Sequence, residues 1–404
     1  MATLVAQSSR TGPPSRRPSS RILELDGIRA IAILLVLGCH YPGFARLAGR
    51  LPELGWSGVD IFFTLSGYLI TTILLGMRQR EGAYKTFYSR RFIRILPPYL
   101  VVTIVLIAVA IYQHWSRWEF KWLIVSQVLF LQALPPYSWA FLAHLKSAHF
   151  GALLGGSLPM GDVGAVLSCA VAAETYWSLS IEEYFYLLWA PVVLRLSRRG
   201  IVIVAVLICV AAAALRWLAA KKFAYFLLVC RFDALLFGAL LAMLLEHWRK
   251  HGKPRWADRA LITMGAISAC GLAVILALIA PILGREIRSS VLFLVFGLPL
   301  LSVGVAAVVG LAVLHAGGRR TKILRYPILT FIGTISYTMY LIHLIIGAAI
   351  DPVMARWPMV EAIVASVLTI IVSYASWHWL EKPLLRWKDR RFPNSPHPAE
   401  PKLV

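Results

Sequence analysis

Cysteine is scarce in this 404-residue sequence, and its distribution argues against two kinds of site. The cysteines are odd in number, no two form a CxxC pair, and most lie in apolar stretches. A disulfide framework or a cysteine-rich metal centre requires paired or closely spaced thiols. We therefore predict no metal site, and we interpret the cysteines as small core residues. They are Cys39, Cys169, Cys209, Cys230 and Cys270.

Charged residues are also few, which excludes an ordinary soluble domain. They make up 15% of the chain, against about 25% in soluble proteins, while 59% of residues are hydrophobic and the mean hydropathy is +0.72. Such a chain has too few polar side chains to cover a surface in water. We predict an integral membrane protein of all-α class, a polytopic bundle of about ten transmembrane helices.

Acidic residues are outnumbered by basic ones, 19 to 41, which gives a net charge of +22. This excess does not indicate a nucleic-acid partner, because the basic residues fall in short clusters between long apolar runs. Clusters of this kind are typical of the cytoplasmic loops of membrane proteins. The expected partners are membrane lipids, and no nucleic acid.

Runs of about 20 apolar residues can cross a bilayer, and they divide the chain. We predict a disordered cytoplasmic tail at 1–20, a membrane domain at 21–385 and a second disordered cytoplasmic tail at 386–404. The predicted spans lie near 26–44, 56–77, 96–113, 174–194, 201–219, 229–246, 260–282, 290–314, 328–350 and 360–380.

The short apolar segment 122–136 is a further candidate span, and charge decides against it. With ten spans, 28 of the Lys and Arg residues are cytoplasmic and 12 are outside; with segment 122–136 as an eleventh span, the numbers become 18 and 22. Positive charge accumulates on the cytoplasmic side. We therefore predict a re-entrant or interfacial segment there and cytoplasmic termini, in what we expect to be the bacterial cytoplasmic membrane. The outer region 137–173 has no assigned role.

Ionisable residues within spans are costly in lipid and often mark functional sites. His40 lies about 21 Å along the first helix from Asp26, in the outer half of the bilayer, where a histidine can act as a general base. It could equally be a packed histidine of the interior. His343, with Tyr340 one turn before it in the ninth predicted span, reaches a similar depth.

Two arginines lie at the predicted cytoplasmic face. If the segment is helical, Arg91 and Arg94 are i,i+3 neighbours on one side of it. Paired guanidinium groups can grip phosphates in a bidentate manner. The alternative is ordinary anchoring of a span by positive charge.

Carboxylates lie in two further spans. Asp60 is near the outer end of the second, which continues with Ser66 and Gly67, a small pair best interpreted as a packing contact. Glu182 and Glu183 are adjacent in the fourth, and only one can share a helix face with a given partner. Either could orient a histidine, pair with an arginine or handle protons. Deep histidines and a cytoplasmic arginine pair suit a phosphate-bearing donor and an acceptor near the outside.

At these residues the sequence resembles the membrane O-acyltransferases of acyltransferase family 3. The similar blocks follow the family's order along the chain. They are LDGIRAIAILLVLGCH (25–40), GVDIFFTLSGYLI (58–70), RRFIRILPPY (90–99), WSLSIEEYFYLLW (177–189), RFDALLFGAL (231–240) and ISYTMYLIH (335–343).

The resemblance implies a ten-helix enzyme that moves an acyl group, often acetyl from acetyl-coenzyme A, to a hydroxyl of a carbohydrate or lipid-linked glycan. It places the essential histidine at His40, and we expect the catalytic carboxylates beside it to be Glu182 and Glu183. The resemblance also places the family's RxxR pair at Arg91 and Arg94. We expect these two to bind the donor, together with Arg29, the arginine that precedes His40 in the first helix.

Asp60, Ser66, Tyr340 and His343 are then candidates to bind or support the substrates. No cofactor is expected to stay bound, because acyl-coenzyme A serves as co-substrate. We expect no fused hydrolase-like domain of the kind that some family members carry. The alternative function is a transporter or flippase for an amphipathic or lipid-linked substrate. The acceptor, the acyl chain and the oligomeric state do not follow from the sequence.

Overall fold

The structure is a computed structural model, and it describes residues 21–41, 43–44, 51–112, 117–133, 160–218, 225–283 and 290–392. These residues form helices joined by short turns, and no β-strand occurs among them. The predicted all-α class is confirmed.

Twelve α-helices are numbered here in chain order. They are α1 (Leu23–His40), α2 (Ser57–Met77), α3 (Ala83–Tyr112), α4 (Arg117–Leu129), α5 (Met160–Arg195), α6 (Arg198–Leu218), α7 (Phe232–His251), α8 (Ala257–Leu283), α9 (Leu298–Leu314), α10 (Pro327–Met354), α11 (Pro358–Ser376) and α12 (Lys382–Arg391). A π-helical turn, Phe293–Gly297, precedes α9, and another, Trp377–Glu381, joins α11 to α12.

A helix lies at each of the ten predicted spans. Within the described parts of the chain, seven helical stretches are long and apolar enough to cross a membrane. Helix α1 is not one of them, and its 18 residues carry three charged side chains, Glu24, Asp26 and Arg29. The membrane character of the chain is therefore supported, whereas the number ten stays a prediction.

The segment predicted not to cross, 122–136, falls mainly on α4. This helix has 13 residues, so it is about 20 Å long and shorter than a hydrocarbon core of about 30 Å. Its C-terminal end contacts α5, where the Tyr184 hydroxyl donates a hydrogen bond to the Leu129 carbonyl at 3.0 Å. Residues 134–136 lie outside the described residues.

Several helix and tail boundaries in the structure differ from the predicted ones. Helix α5 begins at Met160, before the predicted start at 174, so residues 160–173 of the outer region are helical. Residues 386–391, which the sequence assigns to the C-terminal tail, belong to α12. The predicted tail 1–20, the last residues 393–404 and the outer region up to residue 159 lie outside the described residues.

Helices α1, α2, α5, α7 and α10 pack together as the centre of the bundle. Glycines on both helices allow α2 and α7 to pack closely. A Cβ at Gly67 of α2 would overlap the Leu235 carbonyl of α7, and one at Gly238 of α7 would overlap the Thr64 carbonyl of α2. The predicted packing role of Gly67 is confirmed, and the close approach fixes α2 beside α7.

Two buried ion pairs join α2, α6 and the start of α7. Arg231 contacts Asp60 at 2.7 Å, and Arg216 contacts Asp233 at 2.7 Å, with all four side chains almost completely buried. Buried charge is stable only when it is paired. These pairs therefore set the register of the three helices.

Candidate active site

A cavity of about 130 Å³ lies between α1, α2, α3, α5 and α10. Six of the residues singled out from the sequence line it, although they come from five different helices. They are Arg29, Ser66, Arg91, Arg94, Glu182 and Tyr340. The cavity therefore brings together all three arginines of the predicted donor site.

The arginines form one end of the cavity. Arg91 and Arg94 both lie in α3, so the helical condition for their i,i+3 spacing is met. Arg29 of α1 is held by Asp26 at 3.1 Å, and the three guanidinium groups lie within electrostatic range of one another. The Arg91 guanidinium also lies over the ring of Tyr186, 5.7 Å from its centroid. This cationic end is suited to an anionic group such as a phosphate.

Glu182, and not Glu183, lines the cavity. Its Oε2 accepts hydrogen bonds from the hydroxyls of Ser66, at 3.0 Å, and Tyr186, and these two hydroxyls contact each other at 2.6 Å. Adjacent helical residues point about 100° apart, so Glu183 faces elsewhere, and its buried Oε1 has no hydrogen-bond partner. The structure thus distinguishes two carboxylates that the sequence leaves equivalent.

At the other end of the cavity, ring contacts lead to the two histidines. The Tyr340 hydroxyl is hydrogen-bonded to Ser178, and the Tyr340 ring lies 5.7 Å from the ring of His343. His343 in turn meets His40, with ring centroids 5.0 Å apart. Neither histidine is among the described residues that line the cavity, so the pair lies just beyond it.

Backbone carbonyl groups determine the tautomer of both histidines. Nδ1 of His40 lies 2.8 Å from the Val36 oxygen, and Nδ1 of His343 lies 2.7 Å from the Tyr340 oxygen. A carbonyl oxygen only accepts hydrogen bonds, so each neutral ring carries its proton on Nδ1. Nε2 then holds a lone pair, which is the form that a general base requires.

Asp60 lies apart from this cavity, although its neighbours Val59 and Phe62 line it. Its carboxylate is paired with Arg231 in the buried pair described above. Asp60 does not itself line the cavity, so the structure gives no support to its predicted role in substrate binding. Its contacts are those of a residue that holds α2 against α7.

A family model described as "Acyltransferase domain" matches residues 22–378. The chain belongs to this acyltransferase family. The match covers the arginine cluster, the histidine pair and all of the cavity lining except Glu381 and Leu385, and it confirms the resemblance drawn from the sequence blocks.

Curated relatives of this acyltransferase carry consistent names. It is 27% identical over 381 residues to "Peptidoglycan O-acetyltransferase" of Listeria monocytogenes, covering 89% of this chain and 55% of the relative. It is 26% identical over 377 residues to "Putative peptidoglycan O-acetyltransferase" of Bacillus subtilis, covering 89% and 54%. The acyltransferase thus spans about half the length of these two relatives. No solved structure matches it.

The end of the chain contributes lining residues that the sequence did not single out. Trp377 and Glu381, from the π-helical turn, and Leu385, from α12, line the cavity, and Glu381 lies within electrostatic range of Arg94. Glu381 accepts a hydrogen bond from Thr338 at 2.7 Å. The sequence does carry a signal for Glu381, because a glutamate follows directly on an apolar run. The π-helical turn that contains it is a second indication, since such turns are frequent at functional sites.

The same cavity offers no set of metal ligands. Within the parts of the chain that the structure describes, no three His, Cys, Asp or Glu side chains are grouped closely enough to hold a metal ion.

Proposed function

We propose that this protein is a membrane-bound O-acyltransferase that moves an acetyl group from acetyl-coenzyme A to a hydroxyl of a carbohydrate or lipid-linked glycan. One observation carries the proposal: residues from five helices meet in a cavity that has a cationic end near α3 and a histidine pair beyond its other end. Membership of the acyltransferase family supports the reaction type. The names of the relatives favour acetyl as the acyl group and a cell-wall glycan as the acceptor.

The donor binds with its phosphate groups at Arg29, Arg91 and Arg94. Guanidinium groups bind phosphate through paired charge-assisted hydrogen bonds. From Arg29 to His40 the chain rises about 16 Å along α1. A donor with a long arm between its phosphates and its thioester can cover this separation, and coenzyme A has such an arm.

His40 acts as the general base. Its Nε2 removes the proton of the acceptor hydroxyl while the hydroxyl oxygen attacks the thioester carbonyl carbon. The tetrahedral intermediate then collapses: the carbon–sulfur bond breaks, and the coenzyme A thiolate takes the proton from the imidazolium. The products are the ester and free coenzyme A, and the histidine returns to its neutral form.

Exposure favours His40 over His343 for this role. His343 is completely buried, whereas the His40 side chain is only partly buried. An acceptor that enters from outside therefore reaches His40 first. His343 packs against the ring of His40 and orients it.

Glu182 acts on the donor end of the reaction as a positioning residue. Its carboxylate lies within electrostatic range of Arg29 and Arg91, and it holds the hydroxyl of Tyr186, whose ring lies under Arg91. These contacts keep the guanidinium groups in place when no donor is bound.

The reaction requires a defined orientation in the membrane. We propose the bacterial cytoplasmic membrane, with both termini cytoplasmic and the arginine end facing the cytoplasm, because coenzyme A is made inside the cell. Reporter fusions after Arg199 and after Arg259 are then both expected to give a cytoplasmic signal. An external signal at either position would contradict this topology.

Transfer by the purified protein tests the function itself. Full-length protein in nanodiscs is mixed with acetyl-coenzyme A carrying a labelled acetyl group and with lipid-linked peptidoglycan precursor or isolated peptidoglycan. We expect label in an ester of the glycan and release of the free thiol. Movement of the lipid-linked glycan across a proteoliposome membrane without any acetylation would favour the transporter or flippase alternative and would contradict the proposal.

A further inference from the structure

The face of α12 that borders the cavity continues past it. Leu385 lines the cavity, and Lys388 follows three residues later in the same helix. Residues at i and i+3 lie on the same side of a helix, one turn apart. Lys388 therefore extends the lining beyond Leu385, at the arginine end.

Lys388 is buried to a degree that is unusual for a lysine. The residue is 8% exposed, whereas lysine is rarely buried without a close partner. The contact that the structure gives its ammonium group is with Asp389, at 3.6 Å. That carboxylate is already bound by Arg90 at 2.8 Å and is 60% exposed, so it compensates the lysine poorly.

Other positive charges lie near Lys388. Arg90, Arg91 and Arg94, all from α3, lie within electrostatic range of its ammonium group. Glu381, which lies within electrostatic range of Arg94, accepts hydrogen bonds from Thr338 and Ser376. Gathering cations around a buried ammonium group is unfavourable unless an anion binds among them.

We propose that Lys388 is a ligand of the nucleotide phosphates of the acyl-coenzyme A donor, so that α12 forms one wall of the donor site. This inference rests on the proposed function, because it takes its ligand from that reaction. Lysine binds phosphate as a compact point charge, and its place one turn beyond the cavity suits the nucleotide end of a donor whose arm runs towards the histidines. Arg91 and Arg94 then contact the phosphates from α3 while Lys388 contacts them from α12.

Binding of coenzyme A to the full-length protein in nanodiscs of neutral lipid tests this without any acceptor. Calorimetric titration compares the parent with Lys388→Ala, and with Arg390→Ala as the matched control. Arg390 lies in the same helix and carries the same charge, but it is exposed. We expect Lys388→Ala to weaken coenzyme A binding roughly tenfold or more, the value for one charge-assisted hydrogen bond, and Arg390→Ala to change it little.

Ligands that lack some of the phosphates identify the phosphate that Lys388 contacts. If Lys388 binds the 3′-phosphate, the parent loses affinity for dephospho-coenzyme A, while Lys388→Ala binds coenzyme A and dephospho-coenzyme A alike. If it binds the diphosphate, the substitution weakens both. Pantetheine lacks all these phosphates, so its binding should not depend on Lys388 in either case. Lys388→Arg should restore most of the affinity, and equal thermal unfolding temperatures show that the variants are folded.

Several outcomes would overturn the inference. They are unchanged coenzyme A affinity in Lys388→Ala, an equal loss in Arg390→Ala, and an equal loss for pantetheine. An effect of Lys388→Ala that appears only in nanodiscs with anionic lipid would assign the lysine to a lipid headgroup instead. If the parent itself does not bind coenzyme A, the proposed donor is wrong, which is a different result from tight binding that does not depend on Lys388.

Discussion

The rings of His40 and His343 meet edge to face, with their centroids 5.0 Å apart and an interplanar angle of 67°. Helices α1 and α10 carry one ring each, and each Nδ1 is occupied by a carbonyl of its own helix. Each neutral ring therefore has an unprotonated Nε2. Because like charges repel, the two rings cannot easily both become imidazolium at this distance. The pair is therefore suited to accepting a single proton.

Replacing each histidine in turn distinguishes the general base from the histidine that orients it. Loss of a general base costs about 10²- to 10⁴-fold in rate, so His40→Ala should lower kcat by this amount while donor binding is retained. His343→Ala should be milder, because the buried ring only orients His40. Acetyl transfer by purified variants with matched unfolding temperatures measures both effects. Parental activity in His40→Ala together with an inactive His343→Ala would exchange the two roles.

Arg91→Lys tests whether the arginine cluster binds phosphate or only anchors the helix. Lysine keeps the charge but lacks the planar fork, so coenzyme A affinity should fall roughly tenfold, and Arg91→Ala and Arg94→Ala should lower it further. Lys85→Ala removes an exposed charge from the same helix and serves as the control. Calorimetric titration of inserted protein gives the affinities. Unchanged binding in Arg91→Ala and Arg94→Ala would leave only the anchoring role.

The adjacent residues Glu182 and Glu183 allow the effect of a carboxylate inside the cavity to be compared with that of one outside it. Glu182→Gln removes the negative charge beside Arg29 and Arg91 and weakens the hydrogen bonds from Ser66 and Tyr186, so kcat/KM for the donor should fall about tenfold. Glu183→Gln changes the same chemistry one residue further on, outside the cavity lining, and its effect should be smaller. Steady-state kinetics with varied acetyl-coenzyme A measure the difference. A larger loss in Glu183→Gln would assign the supporting role to Glu183.

The sequence predicted the helical architecture well because apolar runs have a length that the bilayer imposes. It was less successful with boundaries such as Met160, where α5 begins 14 residues before the predicted start at 174. It also assigned Lys388 to a tail, because the last predicted span ends at 380 and the chain is Pro-rich after Phe392. Burial of a lysine depends on packing between α12 and α3, and no local pattern encodes that.

Individual lining residues of the cavity were predictable where the residue type is costly in lipid, as for Arg29 and Glu182. Which glutamate faces the cavity depends on the rotation of α5 about its axis, and this is set by tertiary packing. Asp60 shows the limit most clearly. Its position near a helix end suggested substrate binding, whereas its buried partner, Arg231, is 171 residues away along the chain.

Gly67 and Gly76 lie in the same helix and should respond in opposite ways to alanine. At Gly67 the new methyl group would overlap the Leu235 carbonyl, whereas at Gly76 nothing lies within 4 Å. Overpacking costs about 1–3 kcal/mol or more, so Gly67→Ala should lower the unfolding temperature. Gly76→Ala should leave it unchanged or raise it, because alanine favours helix by up to about 1 kcal/mol. Equal unfolding temperatures for both variants in one detergent would contradict the close packing of α2 and α7.

The Asp60–Arg231 pair permits a test that separates structure from chemistry. Arg231→Met leaves Asp60 buried without its cation, and breaking a buried pair from one side costs about 3–5 kcal/mol. Removing the carboxylate as well, in Asp60→Leu with Arg231→Met, should recover most of the loss, because an apolar replacement of a buried pair is often neutral. The exposed pair of Lys253 with Asp258, at 3.0 Å, is the control, and Lys253→Ala should cost less than about 1 kcal/mol.

Activity of the double variant then decides what Asp60 does. If the pair only fixes α2 beside α7, recovery of the unfolding temperature should bring recovery of acetyl transfer, because Val59 and Phe62 return to their places in the cavity wall. If Asp60 contacts the acceptor, stability should recover while kcat/KM for the acceptor stays low. The contacts of Asp60 in the structure favour the first result. Stability that does not recover in the double variant would show that Arg231 acts mainly through the aromatic rings around it, of which Tyr225 is 4.7 Å from its guanidinium carbon.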